Sequence, residues 1–83
     1  MNKSISKKEI FKIVAKSLSV PEKKINEKVS SNNFDEWDSM SQLNILIALD
    51  KKLEGKAQKI QALSEAYSVK KIIQILEKKK LFK

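Results

Sequence analysis

The residues of this chain that could do chemistry are concentrated at positions 35–39, where three acidic side chains stand beside a serine: Asp35, Glu36, Asp38 and Ser39. A serine hydroxyl can accept a transferred group, and paired carboxylates can act as general acid and base. The chain contains no histidine and no cysteine, which excludes Ser–His–Asp triads, Cys–His pairs and the common zinc sites. Without such groups, the carboxylates are expected to form a solvated turn, and no residue is assigned as catalytic.

Ser39 is predicted to lie in the first turn of a helix over residues 39–53. Asp38 is a good N-cap for this helix, and Gly55, the only glycine of the chain, supplies a C-terminal stop. Backbone N–H groups in a first helical turn have no intrahelical acceptor, and the helix dipole favours negative charge there. The start of this helix therefore favours a negatively charged group near Ser39.

This second helix has two apolar stripes where a surface helix needs one. At 100° per residue the core stripe consists of Ile45, Leu46, Leu49 and Leu53. A second stripe on a neighbouring side consists of Met40, Leu43 and Ile47. Either both stripes are buried because the helix is central, or the second stripe stays exposed as a docking patch for partners.

The remaining sequence predicts three further helices. The first begins at Ser6, which has capping-box spacing to Glu9, and ends at Val20-Pro21. A short third helix is expected over residues 63–67, and Ser68 is suited to cap a last helix. The connection over residues 19–37 is polar but carries four apolar side chains that should fold it back over the bundle: Ile25, Val29, Phe34 and Trp37.

The pattern as a whole predicts an all-α fold: a small four-helix bundle with a long first loop and a short third helix. With 83 residues the chain is expected to be a single domain, 1–83, and a monomer. Residues 77–83 are expected to form a frayed basic tail. No segment approaches the length of a membrane span, and lysines interrupt any signal-peptide core, so a cytoplasmic location is the default.

The formal net charge of +8 would suit nucleic acid or an anionic membrane as a partner. All 18 basic residues are lysines, however, and arginine is the side chain that reads bases and clamps phosphates. The charge is also uneven, because residues 35–54 contain five acidic residues and two lysines. We therefore expect no specific nucleic-acid partner. Ser39 lies in the acidic part of the chain.

The segment that begins Asp38-Ser39-Met40 and continues through Ser41-Gln42-Leu43-Asn44-Ile45-Leu46-Ile47 to Ala48-Leu49 resembles the attachment site of acyl carrier proteins. That family shows Asp-Ser-Leu at the start of its second helix, followed by hydrophobic residues that lead into Ala-Leu. The resemblance extends over nearly the whole chain, including the long first loop and the short third helix. It identifies the chain as similar to a phosphopantetheine-binding carrier protein, which has no catalytic activity of its own.

The resemblance implies that Ser39 receives 4'-phosphopantetheine from coenzyme A through a separate, magnesium-dependent phosphopantetheinyl transferase, with Asp38 assisting this loading. The thiol of the arm would then carry an acyl or aminoacyl group as a thioester. The implied partners are the transferase and the enzymes that load and unload the arm. Met40, Leu43 and Ile47 would be the docking residues.

The sequence departs from the family at two places. Met40 replaces the usual leucine, and Asn44, Lys51 and Lys52 stand where the family usually has carboxylates. This favours a specialised pathway, such as surface-polysaccharide or aminoacyl-group synthesis, over bulk fatty-acid synthesis. Two alternatives stay open: a small basic helical module that binds nucleic acid or protein, and a carrier-like domain that is never modified.

Overall fold

The computed structural model describes residues 4–83, which form three α-helices: α1 (Lys7–Leu18), α2 (Ser39–Lys52) and α3 (Val69–Lys78). Three short 3-10 helices lie in the connections: Glu22–Lys24, Ala57–Lys59 and Gln61–Glu65. Within residues 4–83 there is no strand, only two isolated β-bridges. The all-α prediction is confirmed, whereas the count of four helices is not. Residues 1–3 of the predicted domain lie outside the described range.

Helix α1 starts with the predicted capping box. The Ser6 Oγ accepts the Glu9 N–H at 3.2 Å, and the Ser6 N–H donates to Glu9 Oε1 at 3.0 Å. The helix ends before Val20-Pro21, because Ser19 adopts a left-handed conformation with φ of 58°. Helix α1 packs against both α2 and α3, so it is the central support of the fold.

The connection between α1 and α2 is held by its apolar side chains, as predicted. Ile25, Val29 and Trp37 are buried, and Phe34 packs partly buried against the same core. Two backbone hydrogen bonds tie this loop to the start of α3: the Val69 N–H donates to Val29 O at 3.0 Å, and the Ser31 N–H donates to Tyr67 O at 2.9 Å. The loop is therefore an integral part of the fold that leads into Ser39.

Helix α2 stops where its glycine predicts. Gly55 has φ of 86°, a conformation that L-side chains rarely adopt, and its N–H donates to Asp50 O at 2.9 Å. The Asp50 carboxylate then accepts the Gln58 N–H at 3.0 Å, which draws the next segment back along the helix.

The short third helix expected over residues 63–67 is instead a 3-10 helix at Gln61–Glu65. Five residues are too few for a stable α-helix, and 3-10 geometry is common in such short pieces. Its buried residue Leu63 and the following Ala66 still point into the core. Ser68 caps α3 as predicted, with its Oγ accepting the Lys71 N–H at 3.1 Å.

The chain end differs from the expected frayed tail over residues 77–83. Lys78, Lys79 and Lys80 are exposed, but Leu81 is buried and its N–H donates to Leu76 O at 2.8 Å. Ile5 then bridges to Phe82 in parallel, donating to Leu81 O at 2.8 Å. Leu81 directly follows three lysines, so the charge pattern of the sequence does not indicate that it is buried. Its burial holds the C-terminal residues against the start of the fold.

Within residues 4–83, no helix combines the length and the apolar character that crossing a membrane requires.

Candidate functional site

Ser39 is the first residue of α2, and its side chain is exposed. None of the hydrogen bonds within residues 4–83 involves its hydroxyl. The hydroxyl is therefore accessible to another molecule. This matches the predicted location at the start of the second helix.

Asp38 caps α2 as predicted. Its carboxylate accepts the Ser41 N–H at 2.9 Å, and its backbone carbonyl accepts the Gln42 N–H at 2.9 Å. The hydrogen bond from Ser41 holds the pKa of the Asp38 carboxyl below its ordinary value, against a smaller opposing effect of desolvation. Asp38 is consequently ionised at neutral pH, one residue before the exposed hydroxyl.

Two buried polar side chains anchor the start of α2, and sequence reasoning missed both. Gln42 Oε1 accepts the indole N–H of Trp37 at 2.7 Å, and Gln42 Nε2 donates to Leu63 O at 3.1 Å. The Ser41 Oγ donates to Glu36 O at 2.7 Å. A signal did exist for Gln42, since a buried tryptophan needs an acceptor for its N–H and Gln42 lies five residues further along the chain.

The buried residues around the Asp38-Ser39-Met40 motif hold it in place at the surface. Trp37 is buried on the N-terminal side of the motif, and Ser41 and Gln42 are buried on its C-terminal side. Asp38, Ser39 and Met40, which lie between them, are all exposed. The motif is thus a short exposed segment fixed at both ends.

Three acidic side chains lie just before α2. Asp35, Glu36 and Asp38 are exposed, and among residues 4–83 no three acidic side chains come together in a way that could hold a metal ion. Their arrangement is that of the solvated turn expected from the sequence. Asp38 alone has a defined structural role, as the cap.

The second apolar stripe of α2 is exposed. The exposed fractions are 68% for Met40, 51% for Leu43 and 49% for Ile47, whereas Ile45, Leu49 and Leu53 are completely buried. Leu46 is partly buried against the core. Of the two alternatives for this helix, burial of both stripes is wrong. We call Met40, Leu43 and Ile47 the α2 patch.

Two surface depressions meet at Ile47, which lines both. One, of about 600 Å³, lies between α2 and the two 3-10 helices that follow it and is lined by Leu43, Leu46 and Ile60, among others. The other, which we call the α1–α2 groove, has a volume of about 730 Å³. Its apolar lining residues are Ile13, Ile47 and Ala48, and its charged ones are Lys12, Lys16, Lys51 and Lys52.

Comparison with known proteins adds no further identification: no family model, curated protein or solved structure matches this chain. The fold and the site define a small all-α protein with an exposed serine at the start of its middle helix and an apolar patch beside it.

Proposed function

We propose that this protein is a carrier protein whose Ser39 bears a 4'-phosphopantetheine arm, on which acyl or aminoacyl groups travel as thioesters. The observation that carries the proposal is the exposure of Ser39 at the first position of α2, in a short exposed segment that is flanked by the buried residues Trp37 and Ser41. A modification site must be accessible to the modifying enzyme and must not disturb the core when it is loaded. Ser39 meets both requirements.

The first turn of α2 suits the phosphodiester of such an arm. The N–H of Ser41 is used by the Asp38 carboxylate and that of Gln42 by the Asp38 carbonyl. The N–H groups of Ser39 and Met40 belong to the part of a helix that has no intrahelical acceptor, and such groups favour phosphate oxygens. Ser39 would therefore lie nearest the bound phosphate, because the Met40 N–H also contributes to lowering the pKa of the Asp38 carboxyl.

Loading exchanges the Oγ–H bond of Ser39 for an Oγ–P bond. The pyrophosphate linkage of coenzyme A breaks, its nucleotide half leaves, and the proton goes to a base. The chain has no histidine, and no described side chain bonds the Ser39 hydroxyl, so we assign that base to the transferase. The protein's own contribution is to hold the hydroxyl accessible and the helix start rigid.

The arm would also supply chemistry that the polypeptide lacks. A thioester needs a thiol, and the chain contains no cysteine. A bound phosphopantetheine provides that thiol at the end of a flexible chain. The α2 patch lies within the next two turns of the same helix, where an enzyme that approaches the arm would contact it.

Intact mass spectrometry after incubation with coenzyme A, magnesium and a broad-range transferase tests the proposal. We expect the wild-type protein and Ser64→Ala, which removes another exposed serine, to gain one phosphopantetheine each. Ser39→Ala should gain none. Labelling of the Ser39→Ala variant would refute the site, and no labelling of the wild type by any transferase would favour an unmodified scaffold.

The alternative of a basic module that binds nucleic acid is supported by the net charge of +8. Two features weigh against it. The chain has no arginine, and Tyr67 is the one large aromatic side chain among the described residues that is exposed enough to stack on a base.

A further inference from the structure

The α1–α2 groove combines positive charge with apolar surface. Four of its lining residues are lysines, none is acidic, and Ile13, Ile47 and Ala48 supply apolar area. On α2 the lining residues recur at the three- and four-residue spacing of one helical face. Because Ile47 also belongs to the α2 patch, the groove and the patch form one continuous surface.

The charge in the groove is mostly unpaired within the protein. The ion pairs among residues 4–83 are Lys7 with Glu27 and Lys52 with Glu9. Lys52 lies 3.6 Å from the Glu9 carboxylate and is therefore partly neutralised. Lys12, Lys16 and Lys51 have no carboxylate within ion-pair distance in the described chain, so their charges are available to a ligand.

We propose that the α1–α2 groove binds an acidic amphipathic helix of a partner protein. Such a helix would place apolar side chains against Ile13 and Ile47 and its carboxylates against the lysines. The acidic side chains of the partner would face lysines of both helices, Lys12 and Lys16 on α1 and Lys51 and Lys52 on α2.

A protein helix fits this surface better than the other anionic partners. A nucleic-acid backbone would satisfy the lysines but leave the apolar lining residues uncovered, and the groove offers no arginine. A bilayer contacts residues that protrude, whereas the lysines here surround a concave surface. Three of the groove lysines lie in the last turn of their helix, where a positive charge also interacts favourably with the helix dipole: Lys16, Lys51 and Lys52. Lys12 lies in the middle of α1, so the helix dipole does not account for its position.

A binding assay with designed peptides tests the proposal. The probe is a fluorescent peptide of about 15 residues, with leucines on one helical face and glutamates on the others. One comparison peptide has the same composition in scrambled order, and another has lysine in place of glutamate. We expect the acidic amphipathic peptide to bind most tightly and its affinity to fall as salt is raised.

Matched charge variants locate the binding. Lys12→Gln, Lys16→Gln and Lys51→Gln combined should weaken binding of the acidic peptide by about tenfold. The control combines Lys24→Gln, Lys70→Gln and Lys78→Gln, which removes the same charge from exposed residues outside the groove, and should change affinity less than about twofold. Equal effects of both triple variants, or equal binding of the scrambled peptide, would overturn the proposal.

Two further arms complete the test. Displacement of the peptide by duplex DNA or by phosphatidylglycerol vesicles at lower concentration than by unlabelled peptide would reassign the groove to nucleic acid or membrane. Binding by Ser39→Ala should equal that of the wild type, because the groove does not include Ser39. The proposal thus goes beyond the carrier function, and failure of either one is visible without the other.

Discussion

At the scale of single residues, the start of α2 is capped by a carboxylate that lies next to an exposed serine in the sequence. The Asp38 carboxylate accepts the Ser41 N–H, and this hydrogen bond lowers the pKa of its carboxyl group. A carboxyl whose pKa is lower in the folded than in the unfolded state stabilises the fold above the unfolded pKa, about 3.9 for aspartate. That contribution is lost as the pH falls through the folded pKa.

The linkage predicts a pH-dependent difference between wild type and Asp38→Asn. We expect the variant to melt at a lower temperature than wild type at pH 7, and the difference to shrink as the pH falls below about 4. Thermal melts across this range measure it. Asp38→Ser keeps a capping oxygen without a titrating group, so it should likewise approach wild type only in acid. A difference that is constant with pH would contradict the assigned role of the charge.

Asp38 and Gln42 show what can be predicted about single residues. The cap follows from residue type and spacing, because its partner lies three positions away on the same backbone. Gln42 was missed because its partners include the Leu63 carbonyl, 21 residues further along the chain. Binary patterning assigns a glutamine to solvent, and only the assembled fold shows the polar groups that make its burial favourable.

At the scale of elements, helix α2 has one apolar stripe that is buried in the core and another that is exposed. Ile45 and Leu49 are completely buried, whereas Leu43 and Ile47 are about half exposed. The angular pattern separated these stripes in the sequence, because both lie well inside the helix. It did not show which neighbours cover each stripe. The core of this fold covers α2 on one side only. The spacing of apolar residues along the sequence does not show this.

This separation predicts opposite outcomes for two leucine truncations on α2. Leu49→Ala should destabilise the protein by about 2–5 kcal/mol, whereas Leu43→Ala should cost less than about 1 kcal/mol. If the protein is a carrier, Leu43→Ala should also slow transfer to or from partner enzymes. Melts and loading assays on both variants test this.

A second core variant keeps the comparison decisive. Should Leu49→Ala fail to fold, Ile45→Val offers a milder core change of about 0.5–1.5 kcal/mol. An equal loss of stability in Leu43→Ala and Leu49→Ala would mean that both stripes belong to the core and that the α2 patch does not exist.

The short third element shows the limit of prediction for elements. The apolar residue Leu63 and the cap Ser68 indicated an ordered segment between α2 and α3, and one is present. Whether five residues close as an α-helix or a 3-10 helix depends on tertiary contacts, since neither is stable alone. Here the Leu63 carbonyl accepts from Gln42 Nε2, which fixes the segment against α2.

At the scale of the whole molecule, the two ends of the described chain meet. Ile5, which is completely buried, donates to Leu81 O, and the Lys83 N–H donates back to Ile5 O at 2.9 Å. The expected frayed tail rested on the run of lysines before Leu81. Charge patterning describes the exposed residues 78–80 correctly, but one buried leucine beyond them decides the conformation of the chain end.

The docked end predicts that Leu81 contributes to global stability. A domain of this size has little stability to spare, and Leu81→Ala removes a buried side chain that packs beside Ile5. We expect a loss of about 2 kcal/mol, which corresponds to a fall of about 10 °C in melting temperature. Lys79→Ala, an exposed neighbour, should stay within about 0.5 kcal/mol of wild type. If both variants melt like wild type, the end does not dock. A loss confined to Leu81→Ala would show that residues beyond the lysine run complete the core on which α1, and through it α2 and Ser39, is supported.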